Sequence, residues 1–220
     1  MQRAFGLDIP LTLAEVCHPQ RTAVIVYDMQ VGIVSQIADG PKIVERVSSI
    51  LESARKGGYR VFFTRHMSLP NEVAGVTQLR TAMEWQRVGK VEKVRPPFLR
   101  EVPGFQIVRE IAPLPSEAVL DKITMSALAG TWLDIALRDC GINSFVIVGI
   151  ALEVGIEPTV RHAMDLGYIS VIVTDACGYG DREAGLRSLA ALTFTGGSLQ
   201  TESSTILEIL KRSSEHAMTA

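Results

Sequence analysis

Two charged residues stand where apolar, strand-like runs of this chain stop. Asp28 follows Thr22-Ala-Val-Ile-Val-Tyr27, and Lys122 closes Ala118-Val-Leu-Asp-Lys122. A carboxylate at the mouth of a buried strand is costly without a partner, and alone an Asp there serves equally well as a cap for the next turn. A lysine in the equivalent place can snorkel to the surface. Taken together at equivalent strand ends, the two make an ion pair that keeps the carboxylate as a base. A third segment, GIALEVGIEPTVRHAMDLGY from Gly149 to Tyr168, reads as strand, turn and helix. The N–H groups of a first helical turn lack intrahelical acceptors and carry the positive end of the dipole, so they suit an anionic group or a developing oxyanion. Gly155 lets a ligand come close to that backbone, Pro158 is tolerated in the first turn, and Glu153 is either an extra acid or base or a helix cap.

The elements that position these residues follow from periodicity. Short β-branched runs alternate with helical segments, the pattern of a parallel sheet covered on both faces. The helix expected over 41–56 carries Ile43, Val47, Ile50, Leu51 and Ala54 on one face and ends at Gly57-Gly58, and a second strand follows at Tyr59-Arg-Val-Phe-Phe-Thr64. Residues 67–117 hold Pro70, Pro96, Pro97, Pro103, Pro113 and Pro115, too many for one regular element; they read as one helix around 73–80 and a long irregular region that sets substrate specificity. Beyond Lys122 come helix 131–140, strand 144–148, helix 154–166, strand 168–174, helix 182–192, a weak strand near 198–201 and helix 203–211. Six strands with right-handed crossovers predict an α/β, doubly wound, mostly parallel, Rossmann-like sheet of order 3-2-1-4-5-6. Its switch point lies between the first and fourth strands, so a ligand meets Asp28, Lys122 and the turn from Gly149 to Gly155.

The 220 residues fit one domain, 1–220, with 1–20 as an N-terminal arm. A formal net charge of -2 from 22 basic and 24 acidic side chains leaves no basic footprint for nucleic acid, and a small-molecule partner is expected. Cys17, Cys140 and Cys177 are neither a disulfide framework nor a zinc pattern. They read as reduced thiols of a cytoplasmic protein that has no signal-peptide core, no membrane partner and no apolar run long enough to span a bilayer.

Three motifs in order, VIVYDMQ, DKITMSAL and VIVGIALEVGIEPTVRHAMDLGY followed by VTDACG, resemble the isochorismatase-like hydrolase superfamily, which includes cysteine-dependent amidases as well as isochorismatases. The resemblance covers about Thr22 to Leu210. It implies a catalytic Asp at Asp28, a catalytic Lys at Lys122, a cis peptide between Ile150 and Ala151, and oxyanion donors at the backbone N–H groups of Ala151 and Gly155. It also puts Gly155 in the position of the nucleophilic cysteine, four residues before Thr159, and none of the three cysteines replaces the missing thiol. The implied protein is a hydrolase that cleaves a small, anionic metabolite (a vinyl ether, amide or ester) by water attack, with no cofactor and as a homo-oligomer, dimer or tetramer. In isochorismatase-type cleavage of a vinyl ether the Asp donates a proton; in amide or ester hydrolysis it acts as base on water. The alternative is a catalytically inactive small-molecule-binding homologue. Metal-binding members use an Asp with histidines near the first two motifs, whereas this chain offers only His66 there, with His18, His162 and His216 elsewhere, so no metal is expected. Arg65, His66, Trp85 and Arg87 fall at or after the end of the second strand, as candidates for orienting substrate, the guanidinium groups by clamping a carboxylate.

Overall fold

The computed structural model describes residues 1–217, with the side chains of 213–217, His216 among them, outside the description. An antiparallel hairpin opens the chain, β1 (Gln2–Ala4) and β2 (Leu7–Ile9), turning through Phe5 and Gly6, both at positive φ. It leads into α1 (Leu13–Val16), where Thr12 and Glu15 form a reciprocal capping box. The arm expected over residues 1–20 is tied to the sheet. Thr22 Oγ1 donates to the Val16 carbonyl at 2.7 Å, and the Tyr59 hydroxyl donates to the Cys17 carbonyl at 2.8 Å.

The central sheet contains β3 (Thr22–Tyr27), β4 (Arg60–His66), β5 (Ala118–Lys122), β6 (Ser144–Ile150), β7 (Ile169–Gly178) and β8 (Leu199–Thr201). All its pairings are parallel and its order is β5-β4-β3-β6-β7-β8, which is the expected 3-2-1-4-5-6 for six strands counted along the chain. Its helices are α2 (Val31–Val34), α3 (Gly40–Lys56), α4 (Val76–Gln86), α5 (Leu133–Asp139), α6 (Glu157–Asp165), α7 (Arg182–Thr195) and α8 (Ser203–Ala217), with 3₁₀ turns at Val91–Lys93, Pro103–Phe105 and Arg109–Ile111. Side-chain alternation along each strand feeds two separate cores. Val24, Val26, Val146, Val148, Val171 and Val173 meet α3 and α8 on one face. Ala23, Ile25, Phe145, Ile147 and Ile172 meet α5, α6 and α7 on the other.

Three elements differ from the sequence reading. α4 lies at Val76–Gln86 rather than 73–80, because Gly75 starts it, with its N–H accepted by Gln78 Oε1 at 3.3 Å, and good helix formers carry it on to Arg87, which ends it in the left-handed conformation. None of its residues is buried. The helix expected from 154 begins with a π turn at Leu152–Ile156, in which the Ile156 N–H donates to the Ala151 carbonyl at 3.2 Å, before α6 starts at Glu157. β7 runs four residues past Thr174. Polar Asp175 interrupts the apolar run to hold Ser203 at the start of α8, by its N–H at 2.7 Å and its hydroxyl at 2.6 Å, and pairing with β6 then resumes after a register shift.

Candidate active site

The site sits at the carboxyl ends of β3, β4 and β5, and register explains why these residues meet. His66 is opposite Lys122 in the β4–β5 pair, and Tyr27 is opposite Gly149 in the β3–β6 pair. Beyond Tyr27 the chain turns sharply, with Asp28 at φ 47, and the Asp28 carboxylate meets Lys122. Lys122 Nζ donates to Asp28 Oδ2 at 2.7 Å, to the Tyr27 hydroxyl at 2.8 Å and to the Thr124 carbonyl at 3.1 Å. Thr64 Oγ1 donates to Asp28 Oδ1 and receives the Asp28 N–H at 3.1 Å. Tyr27, Asp28 and Lys122 are 2%, 3% and 2% exposed, so the pair is buried and water screens it little. Burial holds the Lys122 ammonium below its ordinary value against the opposing pull of Asp28.

His66 lies in the field of both charges. Burial lowers its ring below the ordinary 6.5, with Lys122 reinforcing and Asp28 opposing. Its backbone is locked by Gln30, whose Oε1 accepts the His66 N–H at 2.6 Å and whose Nε2 donates to the His66 carbonyl at 3.1 Å. The imidazole meets the Phe98 ring edge-on, with centroids 6.0 Å apart.

At the end of β6 the Ile150–Ala151 peptide is cis. The Gly155 N–H donates to the Ala151 carbonyl at 3.0 Å within the π turn, so this N–H, expected as an oxyanion donor, is engaged by the protein itself. Thr159 Oγ1 receives the Ala127 N–H at 3.0 Å and donates to the Gly155 carbonyl at 2.6 Å, which fastens the loop after β5 onto the start of α6. Ser126 Oγ in that loop is 3.0 Å from His162 Nδ1.

The structure brings together Asp28, Lys122 and His66, with Gly155 reached through Tyr27. Arg65, Trp85, Arg87 and Glu153 have their partners or their exposure elsewhere. Arg65 Nε donates to Asp121 at 2.8 Å and its guanidinium lies 4.3 Å over the Phe105 ring, because it alternates to the opposite face from Thr64. Trp85 is 59% exposed near the end of α4, and Arg87, also exposed, is the residue that ends that helix. Glu153 caps a helix, but α7 rather than α6: its Oε1 accepts the N–H of Asp181, the α7 cap, at 2.7 Å. Tyr27 and Thr64 are the residues the sequence reading passed over. Their signal was a phenol and a hydroxyl at the carboxyl ends of otherwise apolar strands. Among the described residues, no three of His, Cys, Asp and Glu are grouped as a metal ion would need. Nor is any helix among them long and apolar enough to cross a membrane.

Asp28 and Lys122 thus form a buried ion pair at the carboxyl ends of a parallel doubly wound sheet. The chain belongs to the isochorismatase domain family, whose model matches residues 22–203. It is 30% identical over 174 residues to the ureidoacrylate amidohydrolase RutB of Pantoea ananatis, across 72% of this chain and 69% of that protein. A cysteine hydrolase from Pseudomonas syringae pv. phaseolicola shares the fold at a TM-score of 0.77 and 21% identity, covering 90% of this chain and 96% of the other. N-carbamoylsarcosine amidase from Thermoplasma acidophilum shares it at 0.67 and 22%, covering 83% and 96%.

Proposed function

We propose that this isochorismatase-family hydrolase cleaves a small, anionic metabolite by water attack, without a covalent cysteine intermediate. The observation that carries the reading is the 2.7 Å contact between Lys122 and Asp28, buried at the strand ends. In this reading Asp28 takes the proton of the attacking water and returns it to the leaving nitrogen or oxygen as its bond to the carbonyl carbon breaks, while Lys122 holds the carboxylate in place. The Ala151 N–H faces the developing oxyanion, and His66 lines the pocket. An amide is the favoured substrate among vinyl ether, amide and ester, because the relatives include an amidohydrolase and an amidase by name. The family resemblance assigns the nucleophile's position to Gly155; Cys17 and Cys177 are buried, and Cys140 closes the end of α5. Burial pushes the Cys17 thiol up to about 12 and the Cys177 thiol higher, which removes the thiolate at neutral pH.

The same reading makes residues 1–220 one domain, working in the cytoplasm as a dimer or tetramer, so size-exclusion chromatography should return a multiple of the chain mass. Purified protein screened against ureido and carbamoyl compounds, simple esters and vinyl ethers tests the activity. Asp28→Asn should abolish turnover of whichever substrate responds while circular dichroism stays unchanged; persistent turnover in that variant sinks the assignment. One observation favours a second reading, a binding homologue without turnover: each of the three Lys122 donors already has an acceptor inside the protein. That reading expects no turnover from the parent protein across the whole screen.

A further inference from the structure

Gly155 has no room for a side chain. A Cβ built on it would lie 2.5 Å from Tyr27 Cε1, and nearer still to the ring's Cζ and hydroxyl. The obstacle cannot swing aside as the tip of a flexible side chain would. The Tyr27 hydroxyl donates to the Met125 carbonyl and receives Lys122 Nζ at 2.8 Å, and the ammonium sits 4.3 Å from the ring centroid. A phenol has one proton to give and here it is given; an ammonium has three and all are placed, on Tyr27, Asp28 and Thr124.

We propose that Tyr27 is the positioning residue of this site: its phenol fills the chamber that a side chain at position 155 would occupy, completes the coordination of Lys122, and makes positions 27 and 155 one coupled steric pair. No nucleophilic side chain operates from position 155 while Tyr27 stands. The inference deepens the water-attack reading and rests on its assignment of Gly155 as the nucleophile's position. The chemistry of the chamber changes with the exchange. A thiolate beside Lys122 would bring a second negative charge, whereas burial, assisted by Asp28, pushes the phenol well above its ordinary 10 and keeps it neutral. Asp28 is then the one anion bonded to the ammonium, held in a fixed position by Lys122 and Thr64.

A set of variants tests this without any substrate: Gly155→Ala, Gly155→Cys, Tyr27→Val, and each Gly155 change combined with Tyr27→Val. Both Gly155 changes alone should lower Tm sharply or prevent folding. Tyr27→Val alone should lower it by opening a cavity, and each double variant should be markedly more stable than the sum of its single changes. In Tyr27→Val/Gly155→Cys the new thiol should react with iodoacetamide with a midpoint at least one unit below the ordinary ~8.5 of a free cysteine. Adding Lys122→Met should return that midpoint upward. Gly155→Cys alone, if folded, should react at least tenfold more slowly. Additive Tm losses, equal reactivity of Gly155→Cys with and without Tyr27→Val, or double variants that fail to fold where Tyr27→Val folds would each overturn the proposal. Because the readouts are stability and thiol reactivity, the pair can stand if Asp28→Asn retains turnover, and can fall while the hydrolase assignment stands.

Discussion

At the scale of single residues, the site is a set of polar groups whose protonation is set first by burial and then by the charges beside them. Lys122 is bonded to one anion, one phenol and one carbonyl, and His66 is near enough to feel Asp28 and Lys122 with opposite signs. Burial is the largest influence on His66, and it favours the neutral ring. The unfolded chain therefore takes up a proton on this residue as pH falls through 6.5, while the folded chain resists until a lower pH. By linkage, the contribution of His66 to stability is complete above 6.5 and is lost as pH drops from there toward the folded value. His66→Asn should remove that part of the acid slope. Thermal melts of parent and variant, from about pH 7.5 down to about pH 5, should converge as the solution is acidified; parallel curves would show that the imidazole resists no protonation in the fold.

At the scale of elements, most of the strands are legible as short apolar runs between helices with a 3.6-residue stripe, and their order follows from the right-handed crossovers such units make. Asp28 and Lys122 could be singled out on the same ground, as charges at the ends of such runs. What escaped was whatever depends on register. That the Tyr27 ring points into the π turn is fixed by β3 lying beside β6 with Tyr27 opposite Gly149, a relation between distant segments that neither segment encodes alone. Arg65 was misplaced for the same reason, since only the β4–β5 register puts it opposite Asp121. α4 is shifted from its expected place because it buries no residue, so no core-facing periodicity marks its ends. The close approach of β3 and β6 carries its own consequence. Gly149 has φ +125, and a Cβ on it would stand 2.9 Å from the Tyr27 N and carbonyl carbon, and closer still to the carbonyl oxygen. Backbone cannot yield as a side chain can, so Gly149→Ala should cost at least ~2 kcal/mol, from strain and overlap together. Urea melts should show it, and a variant as stable as the parent would mean that the two strand ends are free to separate.

At the scale of the whole molecule, one sheet separates two cores. Leu137 of α5 and Leu210 of α8 are both fully buried, the first among Leu133, Phe145 and Ile147, the second among Ile50, Val171 and Ile206. The sheet lies between them, so neither cavity can be relieved by the collapse of the other. Leu137→Ala and Leu210→Ala should each cost ~2–5 kcal/mol, the range for a buried leucine that leaves a partly relaxed cavity. Because they share no partner, the losses should add in the double variant to within about 0.5 kcal/mol. Cooperativity provides the sharper test. If residues 1–220 fold as one unit, all the variants should unfold in a single transition, reported alike by tryptophan fluorescence and by far-ultraviolet circular dichroism. Two resolved transitions, one moved by Leu137→Ala and the other by Leu210→Ala, would mean that the two faces fold separately. The Asp28–Lys122 pair, which joins the residue after β3 to the last residue of β5 in the shared sheet, would then depend on the survival of both.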